Sequence, residues 1–287
     1  MTTIAYIPLD ERPVNLVFPQ ALAESTPEIT LRIPSAGLQG SKKRPADLVG
    51  LWNWLEGALS EADYLLCSLD MLFYGGIVPS RLHQQNKKQA QAHLHRLERL
   101  KERYPDIHIF AFSLIMRVPA YNSGDEEPEY YKHYGENIFR WGWLKDQISR
   151  GQASDQEREE LAKVMAIIPE EVRDDYLKRR ELNHFVNSEA IKLVERGIID
   201  FLVIPLDDCA EYGFSAAEQR QLLRYVEQGT LQQRIHIYPG ADEVGSTLLC
   251  RIYNQIKGQA PYLRSILFHH GTADHPPLRG SPIGREH

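Results

Sequence analysis

Three cysteines in 287 residues, with no C-x-x-C spacing, leave nothing from which to build a disulfide framework. Cys67, Cys209 and Cys250 each lie beside apolar runs, which predicts buried free thiols. Basic residues are also outnumbered, 33 Lys and Arg against 39 Asp and Glu. A formal net charge of −6 gives no clustered cationic surface for phosphate backbones, so a nucleic-acid partner is not expected. No apolar run approaches the ~20 residues needed to span a bilayer, and neither a basic n-region nor an apolar h-region follows Met1. These absences predict a cytoplasmic protein without a membrane partner. The sequence has no G-x-G-x-x-G fingerprint, no Walker lysine and no H-E-x-x-H pair. No nucleotide or other cofactor is therefore expected. What remains is an ordinary globular balance, 43% hydrophobic and 25% charged.

What stands out instead is where the acids fall. The apolar run 201–206 stops at Asp207 and Asp208, a continuous run of the kind that forms a buried parallel strand. Residues 3–9 end the same way at Asp10, and residues 64–69 end at Asp70. Further strands are expected at 29–33, 107–116, 234–238 and 264–268, the last two ending at the Pro239-Gly-Ala-Asp-Glu243 turn and at His269-His270. Parallel strands present their C-terminal ends on one face, so the acids at those ends should converge.

Amphipathic stretches separate most of these runs. Leu94, Leu97 and Leu100 recur at helical spacing in 87–103, and Ser215-Ala-Ala-Glu218 reads as a capping box opening another helix. Seven strand-like runs with intervening helices predict a single α/β domain built on a parallel sheet. A (β/α) barrel is favoured over a doubly wound sheet, because functional-looking loops follow nearly every strand. Residues 121–180 are acidic and aromatic, carry Trp141 and Trp143, and exceed the length of a simple connection, so a helical insertion or lid is expected there. Residues 271–287 form an irregular tail with no eighth strand, which predicts a barrel incomplete at its C-terminal end.

The stretches Pro8-Leu-Asp-Glu-Arg-Pro13, Tyr74-Gly-Gly-Ile-Val-Pro-Ser-Arg81, Asn183-His184, Pro205-Leu-Asp-Asp208 and Pro239-Gly-Ala-Asp-Glu243 together resemble a bacterial family known as domain of unknown function 4127. The resemblance extends to about Phe268. Members of that family run on past this length, so the resemblance implies a truncated or diverged end here. It implies no activity, and the chemistry has to come from the residues.

Asp207 and Asp208 are the leading catalytic pair, since neighbouring carboxylates push one another's pKa apart and so allow an acid and a base to coexist. Asp242 and Glu243 form a similar pair after the sixth run, with helix capping as the plainer reading. Asp10, Glu11 and Arg12 would contact substrate hydroxyls or form an internal ion pair. Asp70 and Tyr74 would line a loop whose glycines permit close approach of a ligand, and Tyr212 would lie nearby. Arg81 and Arg117 would clamp an anionic group or neutralise the acids. Arg180, Asn183, His184 and Asn187 make a polar helical stripe that would lie at the site's mouth, with His184 a ligand or proton shuttle. Acids beside Tyr, Trp and Arg suit a small-molecule sugar substrate, so the expected function is a carboxylate-based glycoside hydrolase. Two alternatives are a metal-dependent hydrolase using Asp10, Asp70, Asp207 and a histidine, and a non-catalytic sugar-binding protein.

Overall fold

Residues 1–259 are described by a computed structural model. Six strands, all parallel, form one sheet: β1 (Thr2–Ile7), β2 (Ile29–Arg32), β3 (Tyr64–Ser68), β4 (His108–Phe112), β5 (Phe201–Leu206) and β6 (Ile235–Pro239). Their order is β2-β1-β3-β4-β5-β6. The α/β class and the parallel sheet are therefore as the sequence predicts, but closure into a barrel is not. In a barrel each strand pairs with its neighbours in sequence. Here β1 lies between β2 and β3, and β2 and β6 are edges among the described residues.

The strand chemistry is compatible with the open form. Alternate residues of the same strands enter two separate cores, Ala5, Ile7, Leu65 and Cys67 on one face and Ile4, Tyr6, Leu66 and Phe112 on the other. Both faces are buried, and each needs its own layer of helices. The first face packs α2 (Leu48–Ala58), α3 (Leu69–Tyr74), α4 (Lys87–Arg103), α7 (Glu170–Glu195) and α8 (Phe214–Gln228). The second packs α1 (Pro13–Glu24) and α9 (Val244–Ile256). None of the described helices is long and apolar enough to cross a membrane.

Between β4 and β5 stand α5 (Tyr131–Ser149) and α6 (Asp155–Ile167), two helices beyond the one that a crossover needs. They enclose a third apolar cluster, in which Tyr131, Ile138, Trp141 and Val164 meet Tyr176 and Phe214. The boundary expected at residue 180 does not exist. Arg180 is in the middle of α7, a continuous 26-residue helix whose first half packs on this cluster and whose second half packs on the sheet.

Several local expectations are corrected. Residues 70–74 belong to α3, because Ser68 accepts a hydrogen bond from the Met71 amide and caps a helix starting at Leu69. Ser215 and Glu218 do not form a capping box; Arg180 recruits both side chains, and Gly213 occupies the cap position of α8. Cys67 is buried as expected, whereas Cys209 and Cys250 are exposed, in the loop after β5 and on the outer side of α9. The seventh run, His269, His270 and the tail lie outside the described residues.

One glycine is indispensable to this arrangement. Gly75 ends α3 in the left-handed region, at φ 91°, and its carbonyl accepts from the Ala46 amide at 3.1 Å. A Cβ at this position would meet that amide nitrogen at 2.6 Å and the Pro45 Cβ at 2.8 Å. Gly75→Ala should therefore destabilise the fold by about 1–3 kcal/mol, measured as a lower urea midpoint at unchanged slope.

Candidate functional site

The order of the strands locates the site. The chain winds from β1 outward to β2, then returns to continue on β1's other side with β3, and the crevice at such a reversal is where ligands bind in open α/β sheets. A cleft of ≈ 240 Å³ opens there, lined by Asp10, Glu11 and Arg12 after β1, by Gly75 to Pro79 and Arg81 after α3, and by Arg117, Glu126 and Asp207. Ser41 and Lys42 close its far side.

Arginines organise the acids. Arg81, 3% exposed, donates from Nη2 to Asp207 Oδ2 at 2.7 Å and from Nη1 to Glu126 and Glu127, each at 3.3 Å. Arg117 donates from Nε to Glu127 at 2.8 Å and from Nη2 to Glu126 at 2.9 Å, and its Nη1 lies 3.7 Å from Asp207 Oδ2. Arg12 bridges a second group. Its Nε donates to Asp10 at 2.7 Å, and its two Nη atoms donate to Asp242 at 3.1 and 2.5 Å. Asp10 also accepts from the Asn15 amide group at 2.8 Å and from the Arg12 backbone at 3.0 Å. Charge-assisted pairs of this kind fix both position and orientation.

Each acid of this lattice is held through one oxygen, Glu126 through Oε2, Glu127 through Oε1 and, at the cleft wall, Asp207 through Oδ2. Both arginine contacts fall on Oδ2, and Oδ1 accepts no hydrogen bond among the described residues. Burial pushes its carboxyl above the ordinary value, against the pull of Arg81 and Arg117. Burial likewise raises Glu127, while for Glu126 the two arginines more than offset it and the carboxyl falls below its usual range.

The other sequence candidates are distributed unevenly. Asp70 does not line the cleft. It is buried in the first turn of α3, where Oδ2 accepts from the Leu114 amide at 2.9 Å and ties α3 to the end of β4. Tyr74 is buried too, stacked on His83 with ring centroids 4.4 Å apart. Asp208 is exposed and turns, with Tyr212, into a neighbouring groove. Glu243 is exposed at the start of α9, its carboxyl folded over Gly240.

The stripe on α7 faces inward rather than out at a mouth. Arg180 donates to the Arg117 carbonyl and pairs with Glu218 through two bonds of 2.8 Å. Asn183 donates to the Ser80 carbonyl at 2.9 Å, and Asn187 to the Leu114 carbonyl at 3.1 Å. Three of the four stripe positions thus hold the backbone at Ser80, Leu114 and Arg117. These carbonyls lie outside the sheet ladder, in the short turn at Ser80 and in the connection after β4, and need other donors. His184 diverges from the row into a pocket between α5, α7 and α8.

Sequence reasoning passed over Glu126, Glu127, Asn15, Ser41 and Lys42. Glu126-Glu127-Pro128 follows no strand, so the acids-at-strand-ends pattern could not select it. Its only signal was acidity within a stretch too long for a plain connection. No group of three His, Cys, Asp or Glu side chains among the described residues is placed to hold a metal ion. Asp10, Asp70 and Asp207, the metal ligands considered from sequence, bond respectively to Arg12 and Asn15, to a backbone amide, and to Arg81.

Fold and site together define an open parallel α/β protein with an arginine–carboxylate cleft at its switch point. The chain belongs to the family described as "Protein of unknown function (DUF4127)", whose profile matches residues 4–282 and so continues past the motifs that carried the resemblance. No curated protein matches it. A solved structure described as "Alpha/Beta hydrolase fold protein of unknown function" is similar over 90% of this chain and 87% of its own, at 11% identity and a TM-score of 0.38. A likeness at that level carries no argument about chemistry.

Asp70 gives a test of the cleft's foundation. Burial raises its carboxyl from 3.8 to about 7. Between those values the unfolded chain releases a proton that the native state retains, so Asp70's contribution to stability falls as pH rises through the window. Asp70→Asn can keep the bond to Leu114 and has no such titration. Its stability relative to wild type should improve on the order of a few kcal/mol between pH 4 and pH 7 and then level off, read from denaturant melts across pH.

Proposed function

We propose that this protein hydrolyses a glycosidic bond in a small sugar-containing substrate, with Asp207 as the general acid. The observation that carries the reading is the asymmetry of that carboxyl, with one oxygen held by Arg81, the other uncommitted beside the cleft, and a pKa pushed up by burial. A carboxyl raised in this direction is shifted toward the protonated form from which a general acid donates to a leaving oxygen. Asp242, fixed by Arg12, is the carboxylate assigned to take the proton from the attacking water, and Asp10 holds Arg12 in place. The six acids Asp10, Glu11, Glu126, Glu127, Asp207 and Asp242 outnumber Arg12, Arg81, Arg117 and Lys42, which favours hydroxyl-rich neutral ligands over anions.

One feature also favours a second reading, a sugar-binding protein without turnover. Arg12 bonds both Asp10 and Asp242, the lattice of a rigid recognition site. The readings separate on a panel of 4-nitrophenyl glycosides followed by released nitrophenolate. For the hydrolase, Asp207→Asn should lower kcat/KM about 10²–10⁴-fold, and wild-type activity should fall as pH rises through the raised Asp207 pKa. Thermal stabilisation by a sugar with no product from any member of the panel would instead establish the binding protein.

A further inference from the structure

Beside the polar cleft lies a second cavity of different character. It measures ≈ 330 Å³ and is lined by Val118, Tyr121, Phe139, Tyr212 and Phe214, with the Asp208 carboxylate among them. The two spaces share a wall made of consecutive residues. Arg117 and Asp207 face the cleft, while Val118 and Asp208, next in each segment, face the groove. Ile115 bridges in parallel to Leu206, holding the two segments side by side. The catalytic candidate therefore stands at the boundary between a charged compartment and an aromatic one.

The groove's walls are braced for a planar occupant. Tyr212 packs edge-on against Trp143, with centroids 5.1 Å apart, and the Arg150 guanidinium covers it at 4.8 Å. Gly213 at the groove's base donates to the buried Asp146 carboxylate at 3.0 Å, which fixes the backbone after Tyr212. Tyr121 remains 51% exposed, a large aromatic side chain on the open side of the cavity. Apolar side chains around a single carboxylate match a flat, largely apolar ligand, not a fully hydroxylated one.

We propose that this groove binds the aromatic leaving group of an aryl glycoside, placing the scissile bond at Asp207 with the sugar in the polar cleft. The assignment of the occupant as a leaving group rests on the hydrolase reading; the groove's affinity for an aryl ring does not. Ala210, exposed on the groove's rim, is a position where a bulky residue fills the space at little cost to folding.

The test uses the full chain and isothermal titration with 2-naphthol as the aryl probe, alongside methyl and 2-naphthyl glycosides. Wild type should bind 2-naphthol saturably, and Ala210→Trp should weaken it at least ten-fold while keeping the wild-type melting temperature. Asp207→Asn should bind the probe within two-fold of wild type, because Asp207 faces the other compartment. With turnover, Ala210→Trp should raise KM for the naphthyl glycoside and leave the methyl glycoside unchanged. Absence of saturable naphthol binding by wild type, or equal binding by Ala210→Trp, overturns the groove. Naphthol binding without turnover of any glycoside overturns the hydrolase reading alone.

Discussion

Two buried guanidinium groups set the terms for this structure. Arg81 is almost wholly enclosed, and Arg117 is close to it, so each charge must find carboxylates or forfeit the several kcal/mol that hydration would have supplied. Asp207, Glu126 and Glu127 meet that demand together. Removing any one acid would leave positive charge stranded in low dielectric, which explains why carboxylates from the β5 end and from the entry to α5 are held so near one another. The cleft is the solvent-facing edge of that charge lattice, and the uncommitted oxygen of Asp207 follows from two arginines meeting the same atom of that carboxyl.

α7 is what holds the lattice in register. Its Arg180, Asn183 and Asn187 supply donors to the carbonyls of Arg117, Ser80 and Leu114, so one helix face fixes two separate segments, the turn at Ser80 and the connection after β4. The aliphatic side chains Leu182, Val186, Ile191 and Val194 flank and extend that row and pack on the sheet. A helix whose buried amides and buried aliphatics are both engaged cannot slide without breaking both sets of contacts. α5 and α6 extend the same logic. Their small aromatic core stiffens the first half of α7, and the segment leading into α5 carries Glu126 and Glu127. The additional helices thereby serve the site through its charge partners and also wall the aromatic groove beside it.

Much of the fold was readable in the chain. Runs such as 201–206 and 64–68 are apolar throughout because both sheet faces are covered, and their acidic ends mark the functional edge. Asp10 and Asp207 were reachable on that argument. Asp70 obeyed the same pattern yet belongs elsewhere. Ser68 starts a helix at the strand end, so the side chain turns under the loop instead of into the cleft. The α7 stripe was legible as unusual but not as inward-facing, because only the loops it meets supply the carbonyls that make buried amides favourable.

By itself the sequence determined the parallel α/β class, the positions of the described strands and the concentration of acids after several of them, since these follow from local runs and periodicities. The strand order was decided by tertiary structure. Placing β1 between β2 and β3 depends on which helices cover which face, and both a barrel and an open sheet satisfy the same local pattern. Tertiary structure also decided the pairing of Arg81 with Glu127, Arg12 with Asp242 and Arg180 with Glu218. A charge selects its partner by distance after folding, and separations of 46, 230 and 38 residues leave no periodic trace along the chain.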